Sequence, residues 1–295
     1  MNARTLLELG RVSNLPTVWS NVLAGAALGG GTMRPFPLLL VGCAGTLFYV
    51  GGMFLNDAFD AEVDARQRPE RPIPSGRATR LQVFAAGFGM LAVGLAVLFA
   101  TASAGLVAAP FELGSAGVAT ALCVVIYDRW HKGYAWSPLV MGACRGGLYL
   151  LGALSSAPQL GTAALAGAGA IALYVLGLTH IARFETASSI GRVWPVALVF
   201  GPAALAMGLA GPPRTAIGAL AGLVLWVGLV GWALFSIRLA LRGGRQIGRA
   251  VVALIAGIAL ADAALMAAMG AFGAASFGVL AFGLTLLGQR VVRGT

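Results

Sequence analysis

Residues 36–77 read FPLLLVGCAGTLFYVGGMFLNDAFDAEVDARQRPERPIPSGR. Phe36–Leu55 is an apolar run long enough to cross a hydrocarbon layer, which takes roughly 17 to 25 residues. At Asn56 the character changes abruptly to acids and arginines. Asp57, Asp60 and Asp64 are spaced i, i+3, i+7, so a continuing helix puts their carboxylates on one face, with Glu62 pointing away. These carboxylates therefore sit at or near the membrane-exit end of a helix. Carboxylates held this close repel one another. A hard divalent cation such as Mg²⁺ relieves the repulsion, because it takes carboxylate oxygens together with substrate phosphates. The plain alternative is a solvated acidic loop; the spacing favours the metal.

The rest of the chain agrees with a membrane setting. Of its 295 residues, 59% are hydrophobic and 10% charged, against roughly 25% charged in ordinary soluble domains. Repeated apolar runs predict an all-α, multi-pass transmembrane bundle of nine or ten helices, forming one integral-membrane domain over 1–295. The 43 glycines suit close helix packing. The expected helices are Leu15–Gly29, Pro37–Asp60, Leu81–Thr101, Leu106–Tyr127, Pro138–Leu154, Thr162–Phe184, Trp194–Leu209 and Thr215–Ile237. Arg249–Leu287 is too long for one span and predicts two, broken near Gly270–Gly273. Cys43, Cys123 and Cys144 lie in or beside apolar runs, with neither metal nor disulfide spacing, and read as small buried hydrophobes.

The net charge of +10 does not point to nucleic acid, because the arginines cluster in short loops at helix ends. The second, fourth, sixth and eighth loops hold Arg66, Arg68, Arg71, Arg77, Arg80, Arg129, Lys132, Arg183, Arg192, Arg238, Arg242, Arg245 and Arg249. The alternate loops hold Arg34 and Arg214. This asymmetry is the positive-inside signature. It places the N-terminus, the acidic stretch and, through Arg290 and Arg293, the C-terminus in the cytoplasm, which favours ten crossings. The composition suits a bacterial inner (plasma) membrane, with the loop arginines available to anionic lipid. The first residues show no removable signal pattern.

Several further residues have side chains suited to chemistry. In Arg71–Arg77 the prolines stiffen the backbone, so that Arg71 and Arg77 could grip diphosphate oxygens; a basic loop that only sets topology is the alternative. Tyr127, His131 and Lys132, the only lysine, form either a phosphate-binding cluster or an interfacial aromatic and basic belt, and the residues alone favour the belt. Arg145 lies inside a predicted span, where a charge faces a polar cavity or a partner; Asp262 is the other such case. His180, Arg183 and Glu185 close the sixth helix. His180 reads as a metal ligand, a proton carrier or, more simply, a hydrogen-bonded structural residue.

The string NDxxDxxxD followed by RPIPSG resembles the UbiA superfamily of intramembrane prenyltransferases. ERPIPSGR is close to members that prenylate chlorophyllide or archaeal glycerol lipids. Arg11-Val12-Ser13-Asn14-Leu15-Pro16 resembles the family's opening, and Tyr127-x-x-x-His131-Lys132 falls where the family commonly has YxxxKR. The resemblance implies that Asn56, Asp57, Asp60 and Asp64 carry Mg²⁺ and a prenyl diphosphate, with Asp57, Asp60 and Asp64 as metal ligands. It implies that Arg71 and Arg77 contact the diphosphate and that Tyr127 and Lys132 help it leave. The family's second acidic motif, DxxxD after the sixth helix, is absent. Thr186 and Ser189 stand in its place, and Glu185 is the sole acid of Thr179–Ser189. His180, Arg183 and Glu185 are the available substitutes, and His131 and Arg145 join the expected substrate-binding set.

The expected function is Mg²⁺-dependent transfer of a prenyl group from prenyl diphosphate to an aromatic or lipid acceptor in the membrane. The alternative is a non-catalytic, carrier-like protein that binds an isoprenoid or small aromatic ligand.

Overall fold

The computed structural model describes residues 1–185, 189–191, 193–211 and 215–292. Among these the chain is all-helical. Helix α1 is Ala3–Leu9, α2 Leu15–Gly29, α3 Pro35–Gln67, α4 Arg80–Ser103, α5 Pro110–Trp130, α6 Ser137–Ser156, α7 Thr162–Ala182, α8 Gly201–Leu209, α9 Ala216–Leu241, α10 Arg245–Ala268 and α11 Phe272–Val291. Eight of them are long and apolar enough to cross a membrane. The remaining expected spans are short. α2 has 15 residues, and Trp194–Leu209 divides into a 3₁₀ turn, Trp194–Phe200, and α8, with Pro195 and Pro202 at the starts of the two pieces. The break expected near Gly270 is real: Gly270 turns the chain at φ 75° between α10 and α11.

Two boundaries differ usefully from the sequence expectation. α3 continues past Asp60 to Gln67, because nothing between Asn56 and Gln67 breaks a helix and the first proline is Pro69. The carboxylate face is therefore held on a rigid rod. α5 begins at Pro110 rather than Leu106, with Pro110 in the first turn, where its missing N–H costs nothing. The short α1, capped by the Asn2 side chain on the Thr5 N–H, is an additional element before the bundle.

The burial patterns separate lipid-facing helices from central ones. α9 buries only Leu229, Ala233, Ser236 and Ala240, a single stripe at helical spacing, and turns Leu220, Leu223 and Val227 outward. α10 is buried nearly all round from Ile247 to Ala267 and is the central rod. Cys43 faces outward, so it is not the buried hydrophobe its apolar run implied. α2 and α6 touch backbone to backbone. A Cβ built on Gly25 would lie 2.1 Å from the Tyr149 carbonyl oxygen, and one built on Gly152 would lie 2.1 Å from that of Val22. Small residues permit this approach, and it brings side chains of α6 onto α2.

Those side chains form a polar network inside the bundle. Asp262 of α10 is fully buried. It accepts hydrogen bonds from the Ser20 hydroxyl, from Asn21 Nδ2 and from the Tyr149 hydroxyl. Arg145 Nη1 donates to Asn21 Oδ1 at 2.9 Å and to Thr17 Oγ1 at 3.1 Å. Asn21 thus bridges the two charges that the sequence marks as anomalous. The network satisfies polar groups that could not stand alone at this depth.

Candidate active site

A cavity of about 840 Å³ opens at the end of the bundle where α3 finishes. Its mouth is lined by Arg11, Asn56, Asp60, Asp64, Arg71, Tyr127, Asp128, His131 and Lys132. Its depth is lined by Phe48, Met53, Val124, Leu148, Val175, Leu178, Ile255 and Ile258. The loops around the mouth reach one another. Arg68 pairs with Glu185 at 3.7 Å, Arg183 donates to the Ser137 hydroxyl at 2.7 Å, and Gly248 at the start of α10 packs against Glu185.

The carboxylates of α3 are each met by cations. Asp57 Oδ1 takes Arg11 Nη2 at 3.1 Å and Arg71 Nη1 at 3.2 Å. Asp64 Oδ2 takes Arg71 Nη1 at 2.9 Å. Asp60 takes Lys132 Nζ at 2.7 Å and His131 Nε2 at 3.4 Å. Proline-stiffened residues 68–79 fold Arg71 back over the helix it follows. His131 stacks on Tyr127 with ring centroids 5.1 Å apart. Burial alone would weaken protonation of Arg11, but Asp57 opposite outweighs it and holds the guanidinium pKa up.

The expected site residues divide by placement. Asn56, Asp60, Asp64, Arg71, Tyr127, His131, Lys132, Arg145, Arg183 and Glu185 line the cavity. Asp57 lies behind the wall, holding Arg11 and Arg71. Arg77 is not on the wall. It donates to Glu8, to the Glu70 carbonyl and to the Ser75 hydroxyl, outside the cavity. Burial opposes ionisation of Glu8, yet Arg77 and Arg4 hold its carboxyl below the usual range. His180 is not on the wall either; its ring meets Phe184 edge-on at 5.3 Å. Ser189 is exposed, and Thr186, Arg192, Arg214 and Arg293 lie outside the described residues.

Several wall residues were absent from the expected set, Arg11, Arg68 and Asp128 among them. Arg11 had shown only as part of an opening motif. It is the one non-glycine residue with positive φ among those described, at 42°, a conformation that costs energy and here aims the guanidinium at α3. Asp128 is 2% exposed. Its Oδ1 accepts from Asn56 Nδ2 at 3.3 Å. The only available signal was an acid one residue from Tyr127 at the end of an apolar helix.

These donors suit Mg²⁺. They are hard carboxylate and amide oxygens, and the Asp128 Oδ2 atom is buried with no hydrogen-bond partner. Among the described residues no three Asp, Glu, His or Cys side chains close on one point. Asp57, Asp60 and Asp64, expected as joint ligands, therefore do not close on one point in this arrangement.

The UbiA prenyltransferase family model matches residues 16–192, a span that contains both the α3 carboxylate face and the Tyr127–Lys132 end of α5. The chain belongs to the UbiA prenyltransferase family. This UbiA member is 31% identical over 173 residues to digeranylgeranylglyceryl phosphate synthase of Methanosarcina mazei, covering 51% of this chain and 54% of that protein. It is 41% identical over 102 residues to the Methanopyrus kandleri protein of the same name, covering 32% and 35%. The chain thus spans about half the length of the first relative and about a third of the second. A solved structure of digeranylgeranylglyceryl phosphate synthase in membranes superposes with a TM-score of 0.62, covering 91% of this chain and 98% of that one at 19% identity. That likeness is one of fold.

Proposed function

We propose that this UbiA member transfers a prenyl group from a prenyl diphosphate to a hydrophobic aromatic or lipid acceptor within the membrane. One observation carries the reading: a single cavity joins a mouth of carboxylates and cations to an apolar interior. A molecule with a multiply charged head and a hydrocarbon tail matches both halves. The family membership supports the same reaction class.

The reaction breaks the bond between the allylic carbon and the bridging diphosphate oxygen, and the electron pair leaves with that oxygen. The acceptor's nucleophilic atom bonds the same carbon and gives up a proton to solvent. Lys132 and Arg71, now turned to Asp60 and Asp57/Asp64, supply fixed positive charge where the leaving group becomes negative. Bound Mg²⁺ would add Lewis-acid stabilisation of the diphosphate oxygens, held by Asp60 and Asp64 with Asn56 beside them. The Tyr127 hydroxyl lies on the same wall as a further donor. Phe48, Met53, Val124 and Leu148 keep water from the allylic cation. Arg183 and Glu185 edge the mouth as substrate contacts.

The protein is integral to the membrane. The cytoplasmic side for the mouth, in a plasma membrane, is our reading from the positive-inside asymmetry. The decisive experiment is binding of geranylgeranyl diphosphate to the purified protein with and without Mg²⁺, beside an Asp57→Ala/Asp60→Ala variant. We expect Mg²⁺-dependent binding in the parent that is lost in the variant. Equal binding by both would overturn the reading. The carrier alternative draws on one observation, that Glu185 is already paired with Arg68. It predicts tight Mg²⁺-dependent binding with no released diphosphate across a panel of aromatic and lipid acceptors.

A further inference from the structure

We propose that Asp128 is a ligand of the metal–diphosphate complex, reaching it from α5 beside the carboxylates of α3. The proposal rests on the prenyl diphosphate reading above and adds a residue to that site. The starting point is an imbalance of partners. Asp60 has Lys132 and His131, Asp64 has Arg71, and Glu185 has Arg68, each within 4 Å. Asp57, behind the wall, has Arg11 and Arg71. Among the described residues Asp128 is the wall carboxylate with no ion pair. Its Oδ1 has one long hydrogen bond, from Asn56 at 3.3 Å. Its Oδ2 has none and is buried.

A carboxylate in that position is costly unless something positive or protic meets it. Packing does not require an acid there, since an apolar residue of similar size would fill the volume. Asn56 orients the acid: its amide nitrogen faces Asp128 while its oxygen accepts from Arg11. Asp128, Asn56 and Asp60 all line the same cavity mouth. The free oxygen is therefore placed to complete the coordination of an ion that brings phosphate oxygens with it.

The test is Mn²⁺ titration of the purified full chain by electron paramagnetic resonance, with inorganic diphosphate present, comparing the parent with Asp128→Asn, Asp128→Glu and Asp60→Asn. Thermal stability is measured alongside, with and without the ion. Asp128→Asn keeps the size and the contact to Asn56 but removes the charge. We expect it to weaken Mn²⁺ binding by about tenfold or more, while thermal stability without metal stays level or rises. Asp128→Glu should recover part of the affinity. Unchanged Mn²⁺ affinity in Asp128→Asn, with affinity lost in Asp60→Asn, would overturn the role of Asp128 and leave the diphosphate site standing. A fall in metal-free stability without a fall in Mn²⁺ affinity would assign Asp128 a structural role instead. No Mn²⁺ binding by the parent would overturn the diphosphate reading and this proposal together.

Discussion

At the scale of single residues, the mouth of the cavity shows why charge alone is a poor guide to role. Lys132 and Arg77 are both basic loop residues, Arg77 close to the carboxylates in sequence and Lys132 far from them. Lys132 reaches Asp60 inside the cavity, whereas Arg77 is drawn away to Glu8. The two should therefore behave differently. Lys132→Met removes a charged hydrogen-bond donor worth about 1.5 to 3 kcal/mol. It should raise the dissociation constant for geranylgeranyl diphosphate about 10- to 100-fold. Arg77→Ala should leave that constant unchanged, which calorimetry on both variants would check. The motif NDxxDxxxD groups its acids along one stretch of α3, because helical spacing is a local property, and Asn56, Asp60 and Asp64 line the cavity from it. Asp128 and Arg11 join that stretch only by tertiary contact, so no spacing could reveal them.

At the scale of elements, the contact between α2 and α6 holds the buried polar network together. Gly25 and Gly152 let the two backbones meet, and Tyr149, Asn21, Ser20 and Arg145 then link to Asp262. Gly152→Val would drive a side chain into the Val22 carbonyl. Overpacking of this kind typically costs about 1 to 3 kcal/mol, so the variant should melt at a lower temperature in detergent. Tyr149→Phe takes one donor from Asp262 at nearly constant shape. It should destabilise by about 1 kcal/mol, without altering diphosphate binding at the mouth. A thermal scan paired with the binding measurement separates the two effects. The helices were legible as apolar runs, but their partners were not. Gly25 and Gly152 look like any of the other glycines until packing decides which of them is crowded.

At the scale of the whole molecule, the loops after α3, α5 and α7 and the start of α10 gather around one opening. The loops after α3 and α7 and the start of α10 carry arginines, and the loop after α5 carries Lys132. With native Cys43, Cys123 and Cys144 replaced, a Ser75→Cys reporter in the exposed α3–α4 loop should resist a membrane-impermeant maleimide in intact cells and react after permeabilisation. Labelling in intact cells would place the mouth on the other face. The cavity itself is a property of the assembled bundle. Its wall draws on α3, α5, α6, α7 and α10, helices spread over most of the chain.

The sequence by itself determined the membrane class, the helical spans and the carboxylate face of α3. Each of these depends on composition or on a short repeat along one helix, and hydrocarbon solvent leaves the backbone few alternatives. Only the tertiary structure decided which charges share the cavity. It joined Lys132 to Asp60, sent Arg77 outside, put Asp57 behind the wall and left one oxygen of Asp128 unpartnered at the mouth. The physical reason is distance: pairings between helices depend on how the rods pack, and that is settled by small-residue contacts and buried polar bonds far apart in the chain.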